Sequence, residues 1–170
     1  MAEPMILAVD VDYRGRAASI AGIAFENWQD ANEKSVFRSR LDDIEDYVPG
    51  QFYRRELPCI LKLIEEHQIV PDSIVIDGFV YLDGKSRPGL GKHLYDALQG
   101  KVSVLGVAKR PFKGVTQECE LYRGKSGRPL YITSIGMPLS EAKNHIKSMH
   151  GKYRIPALLK KADQVSKTMP

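Results

Sequence analysis

Four carboxylates stand on stretches of sequence that otherwise read as interior. Asp10 lies inside Ile6-Leu7-Ala8-Val9-Asp10-Val11, and Glu56 shares a helical stripe with Ile60 and Leu63. Asp77 ends the run Ser73-Ile74-Val75-Ile76-Asp77-Gly78, and Asp163 follows Leu159 by one helical turn. An ionised carboxylate taken out of water without a partner is costly, so the fold must either turn these acids outward or gather them around positive charge. The segments needed for the core are the ones that carry the charge, and this limits the folds open to the chain more than any other feature.

The pattern between the acids is that of a sheet with helices. Ile6 to Val11 predicts a central strand, and alternation puts Asp10 on the face of Ile6 and Ala8. Ala17 to Phe25 and Ser35 to Arg40 predict two more strands in an antiparallel meander. Tyr47-Val48-Pro49-Gly50 reads as a rigid loop. From about Phe52 to Gln68 the period becomes helical, with Pro58 predicting a break or a first-turn position. Ser73 to Gly78 is the continuous apolar run of a buried parallel strand, Gly91 to Leu98 a helix, and Val102 to Ala108 a fifth strand ending at Lys109. Cys119 to Tyr122 and Leu130 to Ile135 predict a hairpin around the turn-rich Gly124 to Pro129. A helix opening at Ser140, with Glu141 in its first turn, stops at Gly151, and a last helix follows Pro156. The order β-β-β-α-β-α-β, then more strand and helix, resembles the ribonuclease H-like fold. That is an α/β architecture whose mixed central sheet has three antiparallel strands followed by parallel strands, flanked by helices.

With 170 residues, 43% of them hydrophobic, one domain over residues 1–170 is expected. The excess of 25 basic over 21 acidic residues permits a polyanionic partner. Cys59 and Cys119 are far apart and in no paired spacing, which argues against a disulfide framework or zinc knuckle and for a reduced, cytoplasmic compartment. The start carries no basic segment ahead of a long apolar run, and no stretch of about 18 apolar residues occurs, so a soluble protein off the membrane is expected.

Each acid has a plain alternative. Asp10 could be a strand-end acid, Glu56 an exposed acid in a first turn, where the helix dipole favours it, and Asp163 part of a solvated face beside Lys160 and Lys161. Asp77 ends a buried strand, the usual place for site residues in α/β sheets, whereas Asp12 reads as solvated and Asp72 as a cap or turn residue. Taken together they suit magnesium, which takes oxygen ligands in near-octahedral geometry; a pair of such ions about 4 Å apart can stabilise the attacking and leaving oxygens of a phosphodiester displacement. Manganese accepts much the same ligands. Lys109 could contact a phosphate or simply be solvated.

With these residues placed, the sequence resembles the endonuclease V family, nucleases specific for deoxyinosine. The resemblance runs through Val9-Asp10-Val11-Asp12-Tyr13, Tyr47-Val48-Pro49-Gly50, Arg55-Glu56-Leu57-Pro58, Ile76-Asp77-Gly78 and Gly89-Leu90-Gly91-Lys92-His93-Leu94. It continues through Gly106-Val107-Ala108-Lys109, Tyr153-Arg154-Ile155-Pro156 and Ala162-Asp163. It implies that Asp10, Glu56 and Asp77 are metal-binding catalytic acids, that Asp163 holds a fourth position where the family carries aspartate or histidine, and that Lys109 lies near the phosphates. It also implies substrate contacts at Gly78 and His93, and a wedge formed by Tyr47, Val48, Pro49 and Gly50 that replaces lost stacking when a damaged base is turned out. Without the family context Tyr47 to Gly50 reads as an ordinary turn. The implied activity is magnesium-dependent cleavage near a deaminated purine in DNA, with RNA as an alternative, leaving a 3′-hydroxyl and a 5′-phosphate; a monomer is expected.

The sequence departs from the family pattern in several places. The stretch after Asp77-Gly78, normally rich in histidine and glycine, reads Phe79-Val80-Tyr81-Leu82-Asp83-Gly84; a usual glycine-histidine pair reads Gly136-Met137; and Ala157-Leu158-Leu159 stands where an acidic, proline-rich continuation is usual. Typical members also carry an N-terminal helical extension, whereas here the first strand comes almost at once. Two alternatives follow. One is a nucleic-acid-binding module that keeps the acids but has lost catalysis, held to the backbone by Lys143, Lys147, Lys152, Arg154, Lys160 and Lys161. The other is a nuclease of the same fold that recognises branched junctions.

Overall fold

The computed structural model describes residues 4–46, 48–49 and 51–168. Strands β1 (Ile6–Arg14), β2 (Ala17–Phe25) and β3 (Ser35–Leu41) form the expected meander, with Asp10 opposite Ala21. Helix α1 (Tyr53–Glu66) leads to β4 (Ser73–Asp77), parallel to β1, and helix α2 (Leu90–Ala97) leads to β5 (Ser103–Ala108), parallel to β4. The hairpin of β6 (Glu120–Leu121) and β7 (Leu130–Ile135) joins the same sheet through β7, which runs antiparallel to β5. The strand order is β3-β2-β1-β4-β5-β7-β6, and helices α3 (Leu139–Ser148) and α4 (Ala157–Thr168) complete the chain.

Period-two alternation divides the core into two layers. On one face Ile6, Ala8, Val75 and Leu105 pack with Ala142 and Ile146 of α3 and with Leu158, Ala162 and Val165 of α4. On the other, Leu7, Val9, Ile74, Ile76 and Val104 pack with Cys59, Ile60 and Leu63 of α1 and Leu94 of α2. Both cysteines are free and buried. Among the described residues no helix is long and apolar enough to cross a membrane.

Several boundaries differ from the sequence reading, each for a local reason. Helix α1 runs without a break through Pro58. The missing N–H removes the bond to the carbonyl of Arg54, and both residues are exposed, where water can serve that carbonyl instead. The same helix stops at Glu66, before Gln68, which has a positive φ of 51°. Helix α3 begins one residue early, at Leu139 behind Pro138, and ends at Ser148, ahead of the turn at Gly151.

Candidate metal and nucleic-acid site

Parallel pairing of β1 with β4 puts Ile6 beside Ser73 and Ala8 beside Val75. Two residues further on, Asp10 and Asp77 come level at the carboxyl edge of the sheet, where parallel sheets place their sites. Asp77 in turn pairs with Val107 of β5, and Lys109, two residues beyond it, brings Nζ to 3.9 Å from Asp77 Oδ2. The spacing of two that set the alternation within each strand therefore aligns three charged side chains across neighbouring strands.

Glu56 reaches the same edge from the first turn of α1 and is 5% exposed, with Oε2 making no hydrogen bond. Burial pushes its carboxyl well above the usual carboxylate range, and the charges of Asp10 and Asp77 push it further. Asp10 is 8% exposed and accepts a 2.9 Å hydrogen bond from the Val11 N–H. Burial first, then the charge of Asp77, with a smaller contribution from Asp163, carries its carboxyl up to about 7. Asp77 opens to solvent at the rim; burial of its inner side raises its carboxyl, opposed by Lys109. Asp163 on α4 is half-buried, which alone would raise its carboxyl, but the Lys167 ammonium, 3.0 Å away, together with a hydrogen bond shared with Asp10 and the charge of Lys109, outweighs burial and holds it low.

The four acids thus face one another electrostatically, although among the described residues no three His, Cys, Asp or Glu side chains are gathered closely enough to hold an ion as they stand. Lys109 and Lys167 engage two of the acids. A cavity of about 30 Å³, large enough for a water or an ion, is lined by Asp10, Asp77 and Lys109 and otherwise by apolar side chains, with Glu56 and Asp163 outside its wall. An all-oxygen donor set around a buried, unpartnered Glu56 oxygen fits magnesium or manganese and does not fit a soft metal.

Asp77 and Lys109 also form one wall of a second cavity, about 750 Å³, whose other walls include Tyr53, Gly78, Phe79, Leu82 and Phe112. Its size is that of a small-molecule site. The departing stretch after Gly78 therefore contributes an apolar wall through Phe79 and Leu82, while Asp83 accepts the N–H groups of Lys85, Ser86 and Arg87 and ties off the loop behind it. The path of this stretch explains three of the glycines quoted above. A Cβ on Gly106 would lie 2.5 Å from the Gly78 carbonyl oxygen, one on Gly89 would lie 2.7 Å from that of Phe79, and one on Gly91 would lie 2.8 Å from Val80 Cα. Gly78 itself has φ 142°, outside the range of most L residues.

His93 on α2 stacks on Tyr53, ring centroids 3.7 Å apart, and so stands behind the aromatic wall. Val48 and Pro49 are exposed, and Tyr47 and Gly50 lie outside the described residues. Of the cations expected to serve as a backbone-binding surface, Arg154 is turned inward onto three carbonyl oxygens, Lys143 Nζ donates to the Glu118 carbonyl oxygen, and Lys161 pairs with Glu33. Sequence reasoning did not find Lys167, although its i+4 spacing from Asp163 was a usable signal. It also missed the cavity residues Tyr53 and Phe112, which nothing in their local sequence marks.

A sequence profile of the family described as Endonuclease V matches residues 2–136. An endonuclease V of Streptomyces avermitilis is 31% identical over 143 residues, covering 70% of this chain and 59% of its own length. The chain spans about three fifths of the length of the curated relatives it matches. The crystal structure of the Streptomyces avermitilis protein superposes with a TM-score of 0.77 at 25% identity, covering 96% of this chain and 79% of that one. Endonuclease V of Ciona intestinalis, crystallised with a 24mer DNA containing an inosine followed by a ribo-adenosine, superposes with a TM-score of 0.78 at 17% identity, covering 96% of this chain and 84% of its own. The mixed sheet and its flanking helices are thus the ribonuclease H-like fold, and the chain belongs to the endonuclease V family.

Proposed function

We propose that this chain is a divalent-metal-dependent endonuclease that hydrolyses a phosphodiester beside a deaminated purine in DNA, with RNA as a second substrate, acting as a cytoplasmic monomer. The observation that carries this reading is the shared wall: Asp77 and Lys109 line both the acid cavity and the aromatic cavity. A nucleotide whose base enters the aromatic cavity would set its adjoining phosphate against the acids.

Asp10, Glu56 and Asp77 would hold the metal, and Asp163 would complete the set after leaving Lys167. Bound magnesium, or manganese in its place, would supply the charge that activates water and stabilises the leaving oxygen. Lys109 is free to turn its ammonium from Asp77 to a phosphate oxygen, since its side chain is 42% exposed. Tyr53, stiffened by His93, together with Phe79 and Phe112 would hold the turned-out base by its faces and edges and keep water from it. Gly78 would let the backbone approach the base closely, and Tyr47 with Val48, Pro49 and Gly50 would fill the space the base leaves. The products would carry a 3′-hydroxyl and a 5′-phosphate.

The test is a single panel of end-labelled strands, inosine-containing, mismatched, branched and unmodified, each in DNA and RNA form, incubated with magnesium or manganese. Cleavage restricted to inosine and lost in Asp10→Asn and Asp77→Asn is expected, with strand binding retained by both variants. Preference for the branched strand would overturn the choice of substrate. Binding without cleavage would identify a nucleic-acid-binding protein of the same fold, and full activity in either variant would remove that acid from the site.

A further inference from the structure

Two arginines are committed to fixing the backbone on either side of one exposed tyrosine. Arg123 is 6% exposed; its Nη1 donates to the carbonyl oxygens of Tyr153 at 2.6 Å and Arg154 at 3.2 Å, and its Nη2 to those of Met149 at 2.7 Å and Gly151 at 3.0 Å. Arg154 donates through Nε to Arg128 O at 3.0 Å and through Nη2 to Pro129 O at 2.7 Å and Lys109 O at 2.5 Å. Gly124 closes the frame: a Cβ there would lie 2.6 Å from the Lys152 carbonyl oxygen, so the two loops pack backbone on backbone. Each guanidinium ties several carbonyl oxygens of the two loops together, although the buried Nε of Arg123 has no partner, and such multiple donation restrains the backbone.

The side chain held in this frame nonetheless points out. Tyr153 is 70% exposed, and the Lys152 ammonium lies 5.6 Å from its ring centroid. It lines neither cavity, but Ile155, two residues on, lines the acid cavity with Asp10, Asp77 and Lys109. Two residues of chain span at most about 7 Å. An exposed aromatic ring with a cation near it, on backbone tied down by the arginines, thus stands two residues from the wall of the cavity that Asp10 and Asp77 line. Aromatic faces stack on any base, and an anchored backbone leaves less of the chain to be ordered on binding.

We infer that Tyr153, with Lys152, is a second base-stacking subsite, taking an unpaired nucleobase that flanks the scissile phosphate and leaving the aromatic cavity to the turned-out base. Lys152 contributes a phosphate contact and a cation–π contact on the ring. The partner is therefore a strand that is single-stranded or opened beyond the lesion itself. This inference rests on the proposed nuclease function.

The test uses the full chain carrying Asp10→Asn, so that magnesium is present and no strand is cut. Its affinity is measured by fluorescence anisotropy for single-stranded deoxyoligonucleotides with one deoxyinosine and flanks lengthened one nucleotide at a time on each side. Tyr153→Ala is expected to weaken binding roughly five- to 150-fold, the range for one base–aromatic contact, only once a flank reaches the ring. Tyr153→Trp should retain the affinity. An abasic site at the flanking position should weaken the parent by the same factor and leave Tyr153→Ala unchanged, since the two changes remove one contact. Equal affinity of the parent and Tyr153→Ala at every flank length, or losses that multiply at every position, would overturn the subsite. If the parent binds none of the strands, the nuclease reading fails and takes the subsite with it; if it binds them and Tyr153 makes no difference, the subsite alone fails.

Discussion

Replacing Asp10 by asparagine should make the metal-free protein more stable at neutral pH. Burial, with Asp77 and then Asp163 nearby, carries the Asp10 carboxyl from 3.8 to about 7. In the unfolded chain it ionises near its ordinary value, so the folded state holds a proton that the unfolded state releases. The stability from this group is full below about pH 4 and is lost as pH rises toward 7, because the unfolded state binds fewer protons across that window. A rise of about 3 pH units, at about 1.4 kcal/mol each, sets a ceiling of roughly 4 kcal/mol. Neighbouring acids relax when one is neutralised, so about 1–3 kcal/mol is expected, or about 2–10 °C in Tm for a domain of this size. Asparagine can still accept the Val11 N–H through its amide oxygen.

Urea unfolding in EDTA should therefore give parent and Asp10→Asn the same stability near pH 4, with the variant ahead by pH 7.5. Magnesium at neutral pH should close the gap by stabilising the parent alone, through binding to the folded state. A variant less stable than the parent at pH 7.5 in EDTA would refute the reasoning. So would a difference that stays constant from pH 4 to 7.5, since it would show that the Asp10 charge is not the cost.

Lys167→Met should release Asp163 and raise the affinity for manganese, read by calorimetry, about two- to fivefold, the worth of an exposed ion pair; unchanged affinity would show that Lys167 does not compete for that acid. Gly106→Ala should destabilise by about 1–3 kcal/mol in urea, because its Cβ would meet Gly78 O at 2.5 Å and Thr133 Oγ1 at 2.6 Å, and wild-type stability would show that the stretch after Asp77 can shift freely. Arg154→Lys should cost about 2–4 kcal/mol, since an ammonium cannot span the carbonyls of Lys109, Arg128 and Pro129, and a neutral result would deny the frame its rigidity.

The strands were legible because their signal is local. A two-residue period or a continuous apolar run is visible within six to nine residues, and the meander, β4 and β5 lie within a residue or so of where the pattern put them. The acids were legible for a related reason: a charge within such a run is a local contradiction, and Asp10 and Glu56 are indeed buried. What the sequence hid is what tertiary contact alone creates. The basic residues after Ser140 looked like one cationic surface, yet Arg154 reaches 45 positions back to the Lys109 carbonyl and turns its guanidinium onto backbone oxygens while remaining partly exposed. Periodicity cannot tell a solvated arginine from one that fills its fork with carbonyls, because the two differ only in what the fold brings near.

The departures after Asp77 show the same limit in the other direction. Judged by residue type, the loss of histidine and glycine from Phe79 to Gly84 looks like loss of function. The backbone nevertheless threads through Gly89, Gly91 and Gly106 with contacts too close for any Cβ, so its path is held by three glycines. Side chains on a fixed path exchange one wall chemistry for another without moving the wall, and here the exchange puts Phe79 and Leu82 into a cavity that still shares Asp77 and Lys109 with the acids. A more apolar wall offers fewer hydrogen bonds to a base edge, so under the proposed function discrimination would rest more on stacking and on the ease of unpairing a damaged base than on reading its edge. A chain with that function would then discriminate among damaged bases less sharply than a pocket lined with hydrogen-bonding side chains.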